Sequence, residues 1–217
     1  MNRIAIFILS WSLLFPGPSW GDANRATLDA IQKRYDFVKT FKAEFVQKAY
    51  IKMMGQSQES RGSVYIKKPG KMKWTYTSPE PQVLISNNKT LWLYLPEDRQ
   101  VTKALIRDIY TDNTPALFLS GKARLSDTFD VANVSREPGK ITVILTPKRK
   151  DRGLERLVLL ADDKNYQITG STVYDGLGNQ TEILFSQIEI NPKFPDDLFD
   201  FKVPAGVDLL DATINQQ

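Results

Sequence analysis

Residues 61–100, RGSVYIKKPGKMKWTYTSPEPQVLISNNKTLWLYLPEDRQ, decide the fold of this chain. They read as consecutive antiparallel strands. Gly62–Lys67 is a short β-rich run, and Pro69-Gly70 breaks the ladder after it, because proline has no N–H and glycine tolerates positive φ. In Lys71–Thr77, Met72, Trp74 and Tyr76 fall on one face and Lys71, Lys73 and Thr75 on the other. That alternation predicts a half-buried strand. Pro79 and Pro81 end it. Val83–Ser86 and Thr90–Leu95 follow, joined by Asn87-Asn88, a pair suited to a hairpin turn. The Thr90–Leu95 run is unusual because both its faces are apolar or amphipathic. Leu91, Leu93 and Leu95 share one, and Trp92 and Tyr94 share the other. An antiparallel strand with one wet face should alternate with polar residues. A second layer of protein, or a ligand, must therefore cover this sheet.

Upstream, Asn24–Thr40 carries Leu28, Ile31, Tyr35 and Val38 at helical spacing and predicts an amphipathic helix. Phe41–Tyr50 alternates as a strand, and Met53–Ser60 is polar and small, which suggests a loop. Downstream, Arg99–Ala104 suits an edge strand. Leu105–Tyr110 suits a short helix, and Thr114-Pro115 with Gly121 brackets a second one. Between those brackets Ala116–Leu119 is apolar all round, so that helix is either buried or lies on something greasy. From Asp127 the β pattern returns in Asp127–Ser135, Lys140–Pro147, Glu155–Ala161, Gln167–Tyr174, Gln180–Ile190 and Phe199–Val203, with turn residues at regular intervals. The aromatics of Phe194–Phe201 are expected to fold back on the sheet end. The pattern predicts a mainly β sandwich or barrel meander, with no internal repeat or linker.

Met1–Gly21 reads as a cleaved secretory signal. Arg3 is its basic start, Ile4–Phe15 its apolar stretch, and Ser19-Trp20-Gly21 its cleavage site. Pro16-Gly17-Pro18 cut the apolar run short of the roughly 20 residues that a membrane span needs. Residues 22–217 are then expected to form one soluble domain.

The chain has 217 residues, no cysteine and no histidine. Disulfides, thiolate sites, histidine metal sites and His-based triads are thereby excluded. Its net charge of +4 comes from dispersed residues, which argues against nucleic acid. No Ser-x-x-Lys run, nucleophile elbow or phosphate-cradling loop is present. Asp162-Asp163 and Asp196-Asp197 are the candidate carboxylate pairs, and both lie in turn contexts. No enzyme is expected. The apolar side chains Leu28, Ile31, Trp74, Leu91, Leu93, Leu117 and Phe118 exceed what a one-faced sheet needs. They form either a well-filled β core or the walls of a cavity, and the apolar Pro115–Leu119 helix favours a lid over an open sheet.

An ordered set of motifs resembles the LolA family of periplasmic lipoprotein carriers. It comprises Phe41-x-Ala43-x-Phe45-x-Gln47, Gly62, Lys68-Pro69, Trp74-x-Tyr76-x-x-Pro79, Leu91-Trp92-x-Tyr94-x-Pro96, Gln100 and Asn113-Thr114-Pro115. The resemblance implies an incomplete antiparallel β-barrel with a lid of short helices over an apolar cavity for acyl chains. It implies acylated lipoproteins as cargo, an inner-membrane ABC-type complex as donor, an outer-membrane acceptor, a monomer in the periplasm, and no cofactor. Lys68 stands where family members have an arginine that latches the lid, and a lysine lacks that planar fork. Met72 matches a hydrophobic position used in partner docking. A soluble envelope-stress regulator of the same fold is the alternative reading. The face of Leu91–Leu95 that lines the cavity stays open.

Overall fold

The computed structural model describes residues 20–105, 124–149 and 153–213. The two expected short helices, with Leu117 and Phe118, lie outside these residues, as does most of the expected signal.

The chain opens with α1 (Trp20–Phe37), whose Leu28, Ile31 and Tyr35 recur three and four residues apart and so share one face. It then runs through β1 (Thr40–Ile51), β2 (Gln56–Lys67), β3 (Lys71–Ser78), β4 (Gln82–Asn87), β5 (Thr90–Leu95) and β6 (Gln100–Leu105). After one helical turn, α2 (Leu125–Thr128), come β7 (Phe129–Glu137), β8 (Lys140–Pro147), β9 (Arg156–Ala161), β10 (Ile168–Tyr174) and β11 (Gln180–Ile190). A 3-10 turn (Asp196–Phe199) precedes β12 (Asp208–Asp211).

All twelve strands form one sheet in the order β12-β6-β5-β4-β3-β2-β1-β11-β10-β9-β8-β7. Neighbours are antiparallel except β12, which runs parallel to β6. The two edge strands do not pair with each other, so the curled sheet is an incomplete barrel, not a sandwich. Gly62 is required where β2 crosses β3. A Cβ there would lie 2.0 Å from the Thr75 carbonyl oxygen and 3.0 Å from the Phe45 ring.

Several elements differ from the sequence reading. The polar residues Gln56–Ser60 belong to β2, paired with Gln47–Ile51 of β1. Strand pairing satisfies their backbone while their side chains stay mostly wet, so polarity here does not mark a loop. The β4–β5 turn is one residue later than expected. Asn88 has φ 81°, and the Asn87 carboxamide oxygen accepts the Lys89 and Thr90 N–H groups at 3.1 and 3.0 Å. Phe199–Val203 is not a strand. The chain instead pairs again only at β12, whose four residues are too few to show an alternating pattern.

Two apolar clusters share the inner face of the sheet. The first joins Leu28, Ile31 and Tyr35 of α1 to Ile141, Val143, Leu145, Leu157 and Leu159 of β8 and β9. The second joins Phe41, Phe45, Val64, Ile66, Met72 and Trp74 of β1–β3 to Ile183 and Phe185 of β11. Its partly buried fringe includes Tyr76, Leu84 and Leu91.

Candidate functional site

Register assigns the faces of the unusual β5 strand. Trp74 lies opposite Leu84, and Leu84 opposite Leu93; Met72 lies opposite Ser86, and Ser86 opposite Leu91. Directly paired residues share a face. Leu91 and Leu93 therefore continue the inner face that begins with Trp74. Trp92 and Tyr94 point outward, where the C-terminal segment covers them, with the Phe201 ring 6.2 and 5.9 Å away. Phe194 meets Tyr65 of β2 at 5.4 Å, and the fully buried Phe199 belongs to the 3-10 turn that packs on β3 and β4. The expected fold-back of these aromatics is thus found, on the outer face.

The inner face is unevenly filled. Every residue of β5 is only partly buried, Leu91 and Leu93 included. Leu28 and Ile31, by contrast, are sealed against β8 and β9. Trp74 is as well sealed as Leu28, 2% exposed, and sits edge-on to Phe45 at 4.9 Å. Met72 is also an interior residue of this face, 5% exposed.

Polar contacts pin α1 to the filled half. The buried Gln32 carboxamide oxygen accepts the Leu125 N–H at 2.8 Å, and its amide donates to Asp36 at 2.8 Å. Arg136 donates to the Thr27 hydroxyl at 2.9 Å, and Arg34 to the Gln167 carboxamide at 3.1 Å. Sequence reasoning missed these groups. Thr27 and Gln32 sit at helical spacing beside Leu28 and Ile31, and a glutamine on an apolar stripe is the one signal available for such a role.

At the C-terminal end of α1 the two clusters meet in a small cleft. Tyr35, Val38, Phe41, Ile66 and Phe185 line it, and Lys68 stands on its rim. The Lys68 ammonium donates to the Tyr35 carbonyl oxygen and lies 3.1 Å from the centroid of the Tyr35 ring. A cation at the last turn of a helix is favoured by the helix dipole, and the aromatic face adds to it. Burial lowers the Lys68 pKa to about 8, against the opposing pull of Asp36. Lys68 thus ties β2 to α1. Any contact with the expected lid helices lies outside the described residues.

Both carboxylate pairs are held by local contacts. Asp162 accepts the Lys164 and Asn165 N–H groups within its turn, and Asp196 bridges Lys67 and Lys71 at 2.7 and 3.0 Å. Among the described residues no cluster of acidic side chains could hold a metal ion, and no helix is long and apolar enough to cross a membrane.

Comparisons with known proteins agree with this architecture. Residues 36–202 match the family described as outer membrane lipoprotein carrier protein LolA. A curated outer-membrane lipoprotein carrier protein of Azotobacter vinelandii is 33% identical over 211 residues, covering 97% of this chain and 99% of the relative. One of Dechloromonas aromatica is 33% identical over 184 residues, covering 83% and 87%. Among solved structures, an uncharacterized conserved protein from Thermus thermophilus shares the fold, with a TM-score of 0.56 at 12% identity, covering 87% of this chain and 99% of that one. The chain belongs to the LolA family of outer-membrane lipoprotein carrier proteins.

Proposed function

We propose that this protein is a periplasmic carrier that binds the acyl chains of lipoproteins on the inner face of β3–β6. The observation that carries this is the half-covered apolar strip of Leu84, Leu91 and Leu93 beside Trp74. Each methylene kept from water is worth about 0.8 kcal/mol. A strip that is only partly buried has apolar surface left to give to a chain. The cleft beside Tyr35 and Lys68 is then the entrance, because it lies where the two clusters meet. Leu28 and Ile31 act from below, by holding α1 in place.

Lys68 is the latch in this reading. It holds the end of α1 through the Tyr35 carbonyl, and incoming cargo displaces that bond. An inner-membrane ABC-type complex loads the carrier, and an outer-membrane acceptor empties it. The protein works as a monomer after removal of residues 1–21. No cofactor or catalytic step is needed.

The test is mass spectrometry of the protein purified from periplasm, beside N-terminal sequencing. Co-purifying acylated lipoproteins and a mature chain beginning at Asp22 are expected. A protein retained in the membrane with Met1 in place, and free of acylated cargo, would sink the proposal.

A further inference from the structure

Among the described residues, three buried side-chain polar atoms have no hydrogen-bond partner: Asn88 Oδ1, Asp163 Oδ1 and Trp74 Nε1. The first two are acceptors on turns. The third is a donor, and it sits in the middle of the inner face. Other polar groups near it are satisfied. The Ser86 hydroxyl donates to the Gly70 carbonyl at 2.9 Å, and the Tyr76 hydroxyl donates to the Gln47 carboxamide at 3.2 Å. The neighbours that Trp74 touches or pairs with are Phe45, Phe185, Val64 and Leu84, none of which offers a side-chain acceptor.

An unpartnered buried donor is rare in native proteins and costly, because it has given up water without replacement. A phenylalanine would fill an apolar pocket without that cost. Trp74 thus places one unmet donor on the face where apolar cargo is proposed to lie. A pure hydrocarbon cannot meet it. The chain attachment of an acylated molecule can, because every acyl chain begins at an ester or amide carbonyl.

We propose that the Trp74 indole N–H is the polar recognition point of this face. It donates to the carbonyl oxygen that joins an acyl chain to its head, and so selects acylated molecules over alkylated ones of equal length. This rests on the carrier reading above. The bond forms only when cargo parts the side chains that seal Trp74. Meeting the donor therefore favours the loaded state over the empty one.

Two lysophosphatidylcholines of equal chain length, one an ester and one an ether, isolate the carbonyl. The wild-type chain should bind the ester about five- to tenfold tighter, the worth of one net hydrogen bond. Its Trp74 indole N–H proton resonance should move downfield with the ester only. Trp74→Phe should bind both lipids equally, at the ether's affinity. Should that variant fail to fold, β-(3-benzothienyl)alanine at position 74 keeps the shape and replaces the N–H by sulfur. Equal wild-type affinity for the two lipids, or an ester preference that survives loss of the N–H, overturns the assignment while leaving the carrier intact. Binding of neither lipid overturns the carrier reading as well.

Discussion

The two halves of this sheet solve the same problem differently. Over β7–β10, the chain supplies its own cover. Leu28, Ile31 and Tyr35 of α1 fill the inner face, and Ile141, Val143, Leu145 and Leu159 are completely shielded. Over β4–β6 the outer face carries Phe199 and Phe201, and the inner-face leucines Leu84, Leu91 and Leu93 are only partly buried. In the proposed reading the contrast separates stability from function within one sheet. The α1-covered half holds the fold together, and the other half is the one proposed to take cargo.

The sharpest way to break this contrast is to truncate a leucine on each side. Leu159→Ala should cost about 3–4 kcal/mol in urea unfolding, as for a sealed core position, and leave fatty-acid probe affinity nearly unchanged. Leu93→Ala should cost about 1 kcal/mol or less, because part of its surface is already wet, yet weaken the probe severalfold. Equal stability losses would mean that both halves are ordinary core.

Between these lies the polar pin of α1. Gln32→Leu leaves the buried Leu125 N–H without an acceptor and should cost about 1–3 kcal/mol. Hydrogen exchange should show that loss as earlier opening of α1 and α2, with β3–β6 unaffected.

The proposed latch, Lys68, is expected to give the smallest effect on stability and the largest on traffic. Lys68→Leu should fold normally, load lipoprotein and then fail to pass it on. Normal transfer by this variant, measured with purified acceptor, would show that the Tyr35 contact is no latch.

The lysine also sets a pH dependence. Its folded pKa, about 8, lies below the unfolded value of 10.5. Between those values the unfolded chain binds more protons, so stability rises with pH across about 8 to 10.5. Over the same range the latch changes from a charged donor to a weaker neutral one. Urea midpoints of the wild type should therefore climb relative to Lys68→Met, while acyl-probe loading becomes faster. A flat difference between the two proteins would place the Lys68 ammonium in water.

The sequence revealed the strands well where one face was wet and the other dry. Lys71–Ser78 shows its register in the bare alternation of lysine with Met72, Trp74 and Tyr76. It revealed the two-sided character of β5 but not which side was finished. That answer depends on Phe201, over a hundred residues away, and no local period reports such a contact. Gln56–Ser60 reads as loop because both its faces are polar, although its backbone is fully paired with β1. The Lys68 position was legible from motif order. Its contact with α1 was not, since the sequence points only to a lid. Met72 matched a docking position by resemblance and shares the face of Trp74 by alternation, and it is buried opposite Ser86. The unmet donor of Trp74 is invisible to any pattern of apolar residues, because tryptophan counts as apolar in all of them.

The outer segment from Asn191 to Val207 has a mechanical consequence. It starts at the middle of the sheet, where Asn191 binds the Lys39 N–H at 2.7 Å and Thr40 donates to the Pro192 carbonyl at 2.6 Å. It is riveted to β2 and β3 through Asp196, and it ends at the edge, where Arg99 donates to the Gly206 carbonyl at 2.8 Å and β12 joins β6. It thus runs crosswise over the outside of six strands and is fastened at both ends. A splint of this kind resists flattening and further bending alike, so the wall of the half-barrel keeps one radius whether full or empty. Any swelling to admit a larger molecule must then come from displacing what lies inside the curve rather than from stretching the sheet.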